Sequence, residues 1–212
     1  MKYPNLKEEK ALWSRGLERI VGIDEAGRGP LAGPVVSSAV FLKKKEKFLD
    51  SIKDSKKINP NKRKKVFNQL IKSKNIEWGL GIVSEKIIDK INILEATKLA
   101  MKKAVLNLED KIKPKTVDFL LLDGNFKINF DLAQKFVKKG DIKVFSISIA
   151  SIIAKVKRDK MMEKYDKDYP VYGFKNHKGY GTKKHFEMIK KHGPCKIHRK
   201  TFNPVKKYFE QA

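Results

Sequence analysis

Gly22-Ile23-Asp24-Glu25-Ala26-Gly27-Arg28-Gly29-Pro30-Leu31-Ala32-Gly33-Pro34 is the stretch on which the reading of this chain turns. It opens inside a short apolar run, Arg19-Ile20-Val21-Gly22-Ile23-Asp24, which has the pattern of a buried strand. The run stops at two acids, and a glycine-rich turn carrying one arginine follows. Val35 to Leu42, β-branched and apolar, reads as the next strand. Neighbours in a regular strand point to opposite faces. Asp24 and Glu25 therefore share a rim only if the chain leaves the strand between them; otherwise Glu25 acts through its carbonyl or by orienting a water. For an isolated Asp-Glu pair, a solvated turn or a helix cap is the better reading. The glycines change that balance, because they let backbone approach a ligand while Arg28 forks onto a phosphate. The turn is too short for a dinucleotide fingerprint and lacks the Lys-Ser/Thr of a triphosphate loop.

Working outward, strands alternate with helices. Pro60 to Ser73 reads as a helix with Val66, Leu70 and Ile71 on one side. Ile76 to Val83 reads as a strand that Gly79 and Gly81 weaken. Asn92-Ile93-Leu94-Glu95 has capping-box spacing, and Leu94, Met101, Val105 and Leu108 then share a helical face until Pro114. Val117 to Leu122 is dense enough to be a central strand, ending at the Asp123-Gly124-Asn125 turn signal. From Phe130 to Gly140 two readings stay open: a strand at Phe136-Val137 running into Gly140-Asp141, or one at Ile142 to Phe145. Ser148 to Lys164 reads as a second long helix with Ile149, Ile152, Ile153 and Val156 inward.

The alternation predicts an α/β fold, a mixed or parallel central sheet flanked by helices. Residues 1–168 are read as the core. Residues 169–212, rich in Gly, Tyr, His and Lys, are read as a C-terminal helical extension packed on it, with short helices near Lys184–Lys191 and Asn203–Phe209. Ligands of such sheets sit at the carboxyl ends of strands. If the strands ending at Asp24 and Asp123 are parallel neighbours, both carboxylates meet at one rim. Clustered carboxylates repel unless a cation shares the site, and magnesium suits all-oxygen ligands. Two such ions about 4 Å apart can serve an in-line displacement at a phosphodiester.

Charge points to the same substrate class. The chain has 49 basic against 24 acidic residues, a net charge of +25, and only six of the bases are arginine. A polyanion such as nucleic acid relieves that self-repulsion; a lysine-rich genome or a heat-adapted surface is the alternative source. The lone Cys195 excludes an internal disulfide and fits a reducing cytoplasm. No signal peptide and no membrane partner are expected. His177, His185, His192 and Cys195 lack the spacing of a zinc site.

At this point the chain resembles the bacterial ribonucleases HII. The likeness rests on Gly22 to Val36, Asp54-Ser55-Lys56-Lys57-Ile58, Leu122-Asp123-Gly124-Asn125, Lys139-Gly140-Asp141 with Ser148 to Asp159, and a tail block. That block is His177-Lys178-Gly179-Tyr180-Gly181-Thr182 with His192 to Arg199. Ile149 and Cys195 depart from the usual small residue and serine. The resemblance implies an RNase H-like fold, hydrolysis of RNA in RNA–DNA hybrids, and incision 5′ of single ribonucleotides embedded in duplex DNA. It implies 3′-hydroxyl and 5′-phosphate ends and dependence on Mg2+ or Mn2+.

Position by position, the resemblance implies Asp24, Glu25, Asp123 and Asp141 as catalytic and metal-binding acids, with Asp141 ending a strand near Phe136–Gly140. It implies Gly27, Arg28 and Gly29 as readers of the ribose 2′-hydroxyl and its neighbouring phosphate, the group that separates RNA from DNA. Tyr180 would stack near the following sugar, and Lys56 would sit near the active site or the substrate backbone. With only a short stretch before the first strand, the extra N-terminal domain of ribonuclease HIII is not expected. A monomer is expected; a sliding clamp is a conceivable partner without a mark in the sequence.

Two rivals differ in class. A non-catalytic nucleic-acid-binding protein on this fold should lack one of the acids, and all four are present. Another nuclease of this fold should lack the Gly-Arg-Gly turn with Tyr180. Asp54 reads as part of a loop on the nucleic-acid side, and Asp159 as a surface ion pair beside Arg158 and Lys160. Phe126, Phe130 and Phe136 read as core; Tyr172, Phe174 and Tyr180 lie in the lysine-rich tail.

Overall fold

The computed structural model describes residues 4–43 and 59–210. Five strands form one sheet in the order β3-β2-β1-β4-β5. They are β1 (Ile20–Ala26), β2 (Val35–Leu42), β3 (Ile76–Val83), β4 (Phe119–Asp123) and β5 (Gln134–Val137). β1, β2 and β3 pair antiparallel, whereas β1–β4 and β4–β5 pair parallel. The sheet is mixed because the glycine turn returns the chain directly into β2, while the parallel partner of β1 arrives only after a long helical crossover.

Helices cover both faces. α3 (Glu85–Ile112) packs Met101, Ala104, Val105 and Leu108 against Val21, Ile23, Leu120 and Leu122. α2 (Pro60–Lys72) and α4 (Phe145–Asp168) cover the other face through Phe67, Leu70, Ile149 and Ile153. Gly79 and Gly81 do not weaken β3; they admit α3. A Cβ at either would collide with a carbonyl of that helix, Ala104 at the first and Ala100 at the second. Gly22 does the same for α4, since its missing Cβ would sit 2.5 Å from the Ile147 amide. A short helix, α1 (Lys7–Trp13), closes the end near Leu121 and Ile147.

Several expectations change in detail. α3 begins at Glu85 and breaks at Asn92, whose φ of 64° interrupts the helix. Asn92 Oδ1 then accepts from the amides of Leu94 (2.9 Å) and Glu95 (3.2 Å), so it caps the second half as its spacing suggested. Leu94 faces solvent rather than the core. α4 starts at Phe145, three residues before Ser148, so Ile142 to Phe145 is not a strand. Phe136 is 48% exposed on the edge strand, not core.

The C-terminal segment holds α5 (Phe174–His177), α6 (Lys183–His192) and α7 (Lys207–Glu210). The expected helix from Asn203 shrinks to α7. Tyr172, Phe174, Ile189, Ile197 and Val205 share one buried cluster with Leu31, Ala32 and Met162 of the preceding segments. Three histidines lock this segment by hydrogen bonds. His185 Nδ1 donates to the Tyr180 carbonyl (2.9 Å), which leaves its Nε2 to accept from His198 Nε2 (3.0 Å). His198 Nδ1 then accepts from the Cys195 amide (2.9 Å). His177 stacks on His185 with ring centroids 4.4 Å apart.

Candidate active site

The rim follows from strand register. β1 pairs with β4 as far as Ile23↔Leu122, so Asp24 and Asp123 are the next residues on two parallel neighbours. Pleating puts Asp24 on the face of Gly22, and Asp123 on the face of Leu121, both toward α4. The 3-10 turn Gly140–Ile142 leads into α4 and brings Asp141 to the same place. One carboxylate oxygen from each of Asp24, Asp123 and Asp141 lies within 4.8 Å of the others. Asp141 therefore does not end a strand; β5 stops at Val137 and the acid sits in the turn that follows. That turn has a second use, because the Gly140 amide donates to Asp123 Oδ1 (2.7 Å) and fixes its orientation.

Burial and repulsion dominate the electrostatics. Burial pushes the Asp24 carboxyl well above the ordinary carboxylate range, and the charges of Glu25 and Asp123 push it further. The Glu25 amide, at 2.7 Å from Asp24 Oδ1, offsets only part of this. β1 continues through Glu25 to Ala26, so Glu25 stays outside the three-aspartate cluster. Burial raises its carboxyl to about 6 against the opposing charge of Arg28, 3.5 Å away. Glu25 Oε2 is buried without a hydrogen-bond partner. Oxygen donors, mutual repulsion and an orphaned buried carboxylate oxygen fit a hard divalent cation.

A cleft of about 380 Å³ opens beside the acids. It is lined by Glu25, the 27–29 turn, Asp141, Ser148, Ser151 and Lys155, and also by Arg63 and Tyr180. Arg28 is exposed and lies 5.6 Å from the Phe126 ring. Tyr180 is 44% exposed, and a Cβ on Gly29 would stand 3.8 Å from its ring. Lys56 and Asp54 lie outside the described residues. Asp159 pairs with Lys155 (2.8 Å), not with its sequence neighbours.

Sequence reasoning missed two groups. Ser148, Ser151 and Lys155 recur at helical spacing, a polar stripe beside the apolar one, and could have been found that way. The other group is Arg158 and Arg199, both fully buried. Arg158 donates to the carbonyls of Pro34 (2.9 Å), Lys178 (3.0 Å) and Ala32 (3.1 Å). Arg199 donates to those of Gly27 (2.5 Å), Arg28 (2.8 Å) and Gly33 (2.9 Å). Burial lowers their guanidinium pKa values to about 10 and about 9, so both stay charged at neutral pH.

A mixed five-stranded sheet with aspartates at the ends of two parallel central strands, and a third before the covering helix, defines a metal-dependent nuclease of the RNase H-like class. Comparison with known proteins narrows this. The chain belongs to the ribonuclease HII family, whose sequence model matches residues 21–205. It is 53% identical over 194 residues to ribonuclease HII of Acetivibrio thermocellus, covering 92% of this chain and 73% of that one. It is 46% identical over 212 residues to ribonuclease HII of Chlamydia trachomatis, covering 98% and 94%. Among solved structures it is similar to ribonuclease H2 from Pyrococcus horikoshii OT3, with 29% identity and a TM-score of 0.71 over 91% of this chain and 98% of that one. Bst-RNase HIII in complex with Mn2+ shares the fold at 17% identity, with a TM-score of 0.74 over 98% and 82%. Family membership carries ribonuclease H activity on RNA–DNA hybrids, and the acid cluster accounts for divalent-metal dependence. Among the described residues no helix is long and apolar enough to cross a membrane.

Proposed function

We propose that this enzyme, beyond hydrolysing hybrid RNA, incises duplex DNA 5′ of a single embedded ribonucleotide and so opens ribonucleotide excision repair. Asp24, Glu25, Asp123 and Asp141 would hold Mg2+ or Mn2+. Two bound ions would supply activation of water and neutralisation of charge at the leaving oxygen. The observation that carries the reading is the convergence of three carboxylates within 4.8 Å beside a glycine turn with exposed backbone. In the reaction, water oxygen bonds to phosphorus and the P–O3′ bond breaks. The hydroxyl stays on the 5′-phosphate, and the 3′-oxygen takes the second proton.

The remaining residues bind and orient. Gly27, Arg28 and Gly29 would read the 2′-hydroxyl and grip the adjacent phosphate, and Tyr180 would stack on the next sugar. Lys56 would approach the substrate backbone. We also read residues 169–212 as an extension that presents Tyr180 to the core. We read the protein as a cytoplasmic monomer.

The test uses three duplexes of one sequence: a hybrid, a DNA duplex with one ribonucleotide, and all-DNA, each with Mg2+, Mn2+ or chelator. Metal-dependent cutting of the first two with 3′-hydroxyl products supports the proposal. Cutting of all-DNA at a similar rate would favour a nuclease that ignores the ribose.

A further inference from the structure

Arg199 sits under the glycine turn in an arrangement that does more than hold the fold. Its Nη1 takes the Arg28 carbonyl and its Nη2 the Gly27 carbonyl, at 2.8 and 2.5 Å. Both peptide oxygens are thereby turned into the protein. The peptide bonds following Gly27 and Arg28 are trans. In a planar trans peptide the N–H points opposite to the C=O. The amides of Arg28 and Gly29 are therefore aimed away from Arg199, and both residues are exposed and line the cleft. Among the described residues neither amide donates a hydrogen bond. Gly27 can take this path because its φ is +100° and because a Cβ there would collide with Arg158.

We infer that Arg199 is a specificity-determining positioning residue: by pinning the Gly27 and Arg28 carbonyls inward, it holds the Arg28 and Gly29 amides outward as donors to the 2′-oxygen of a substrate ribose. This rests on the proposed reading of the turn as the ribose sensor. Arg158 supplies the contrast. It is equally buried and borders the same turn, but its carbonyl partners belong to Ala32, Pro34 and Lys178. None of those carbonyls shares a peptide bond with the Arg28 or Gly29 amide. Arg158 holds the platform; Arg199 sets the direction of the two donors. A lysine at either position would keep the charge and lose the fork that reaches several oxygens at once.

The experiment measures binding, with chelator present so that nothing is cut, to a duplex containing one ribonucleotide and to the same duplex in all-DNA form. Wild type, Arg199→Lys and Arg158→Lys are compared, with a thermal melt for each. Wild type should prefer the ribonucleotide duplex. Arg199→Lys should shrink that ratio by about tenfold, the value of one or two hydrogen bonds, without weakening all-DNA binding. Arg158→Lys should lower the melting temperature and keep the ratio. A wild-type preference that survives Arg199→Lys overturns the assignment while leaving the ribose sensor intact. Equal loss of the ratio in both variants reduces Arg199 to a structural role and also overturns it. A wild-type ratio of one removes the sensor and this inference together. One readout needs no variant: in amide spectra of the wild type, Arg28 and Gly29 should shift further with the ribonucleotide duplex than with all-DNA, where only the phosphate is gripped. Identical shifts with both duplexes would overturn the assignment.

Discussion

The acid rim and the arginine clamp both border the 27–34 turn, and each holds charges of one sign away from water. They differ in where relief comes from. At the rim, Asp24, Asp123 and Asp141 face one another, and Glu25 adds a carboxylate oxygen with no partner. The Glu25 and Gly140 amides and Arg28 offset part of that charge, and bound cations would answer the rest. In the clamp, Arg158 and Arg199 repel each other, but backbone carbonyls occupy both forks. Their charge is answered by dipoles already in place. Buried charge left open marks the chemistry; buried charge closed by backbone marks the frame that holds it. The distinction is one of partners, because burial alone looks the same in both.

Substitution offers the sharpest way to break that contrast. Asp24→Asn or Asp123→Asn should cut hybrid hydrolysis by about a thousandfold or more. The melting temperature without metal should hold or rise, because repulsion is relieved. Retained turnover in both variants would end the metal-site account. The clamp should behave in the opposite way. Arg158→Met takes the guanidinium from two buried carbonyls and one half-buried one and should cost about 3 kcal/mol of stability in denaturant unfolding. A neutral result would mean that those carbonyls were not in need of the guanidinium.

Metal gives a smaller, linked effect. Mg2+ or Mn2+ should raise the wild-type melting temperature by an amount that grows with concentration, and chelation should reverse it. The same titration on Asp123→Asn should be nearly flat, while Arg158→Lys should keep the response from its lower baseline. If metal stabilises both variants equally, the rim is not where it binds.

The smallest effect is in pH, and again two regions oppose each other. Burial holds His185 and His198 down to about 4. The unfolded chain then takes protons first, so their contribution is whole above about 6.5 and is lost as pH falls toward 4. Glu25 runs the other way, raised to about 6. Its contribution is whole below about 4.5 and is lost as pH rises through 6. The two windows overlap between about 4.5 and 6, so thermal melts in chelator across pH 4 to 7 should show opposed slopes that partly cancel, and Glu25→Gln should steepen the rise of stability with pH there. An unchanged slope would shift the opposing effect entirely to Asp24.

The sequence exposes the rim better than the clamp, for physical reasons. Asp24 and Asp123 each end an apolar run, and a charged residue at the end of a buried strand is conspicuous. Asp141 lacks that signal because it lies in a 3-10 turn behind a four-residue edge strand; only family likeness marked it. Arg158 sits between Lys157 and Asp159, so its surroundings along the chain look like surface. Its spacing tells otherwise, since Ala154 and Met162, four residues to either side, are also buried. Arg199 carries no such periodicity, because its segment is irregular and its partners are backbone atoms. Strands and long helices were legible from apolar pattern, but the start of α4 and the break at Asn92 depend on tertiary packing and one αL-side backbone angle.

Gly27 and Arg199 are 172 residues apart along the chain, yet they share a hydrogen bond. The sheet that carries Asp24 and Asp123 needs nothing from beyond β5 to form its register. The filter's turn follows Asp24 and Glu25 directly, but its hold comes from the far end of the chain through Arg199, while the acids lie between residues 24 and 141. A molecule nicked by a protease between α4 and Arg199 would be the informative casualty: its acids would stay aligned while its discrimination loosened. Quality control of this enzyme, in preparation or in the cell, is accordingly better judged by fidelity than by whether it still cuts.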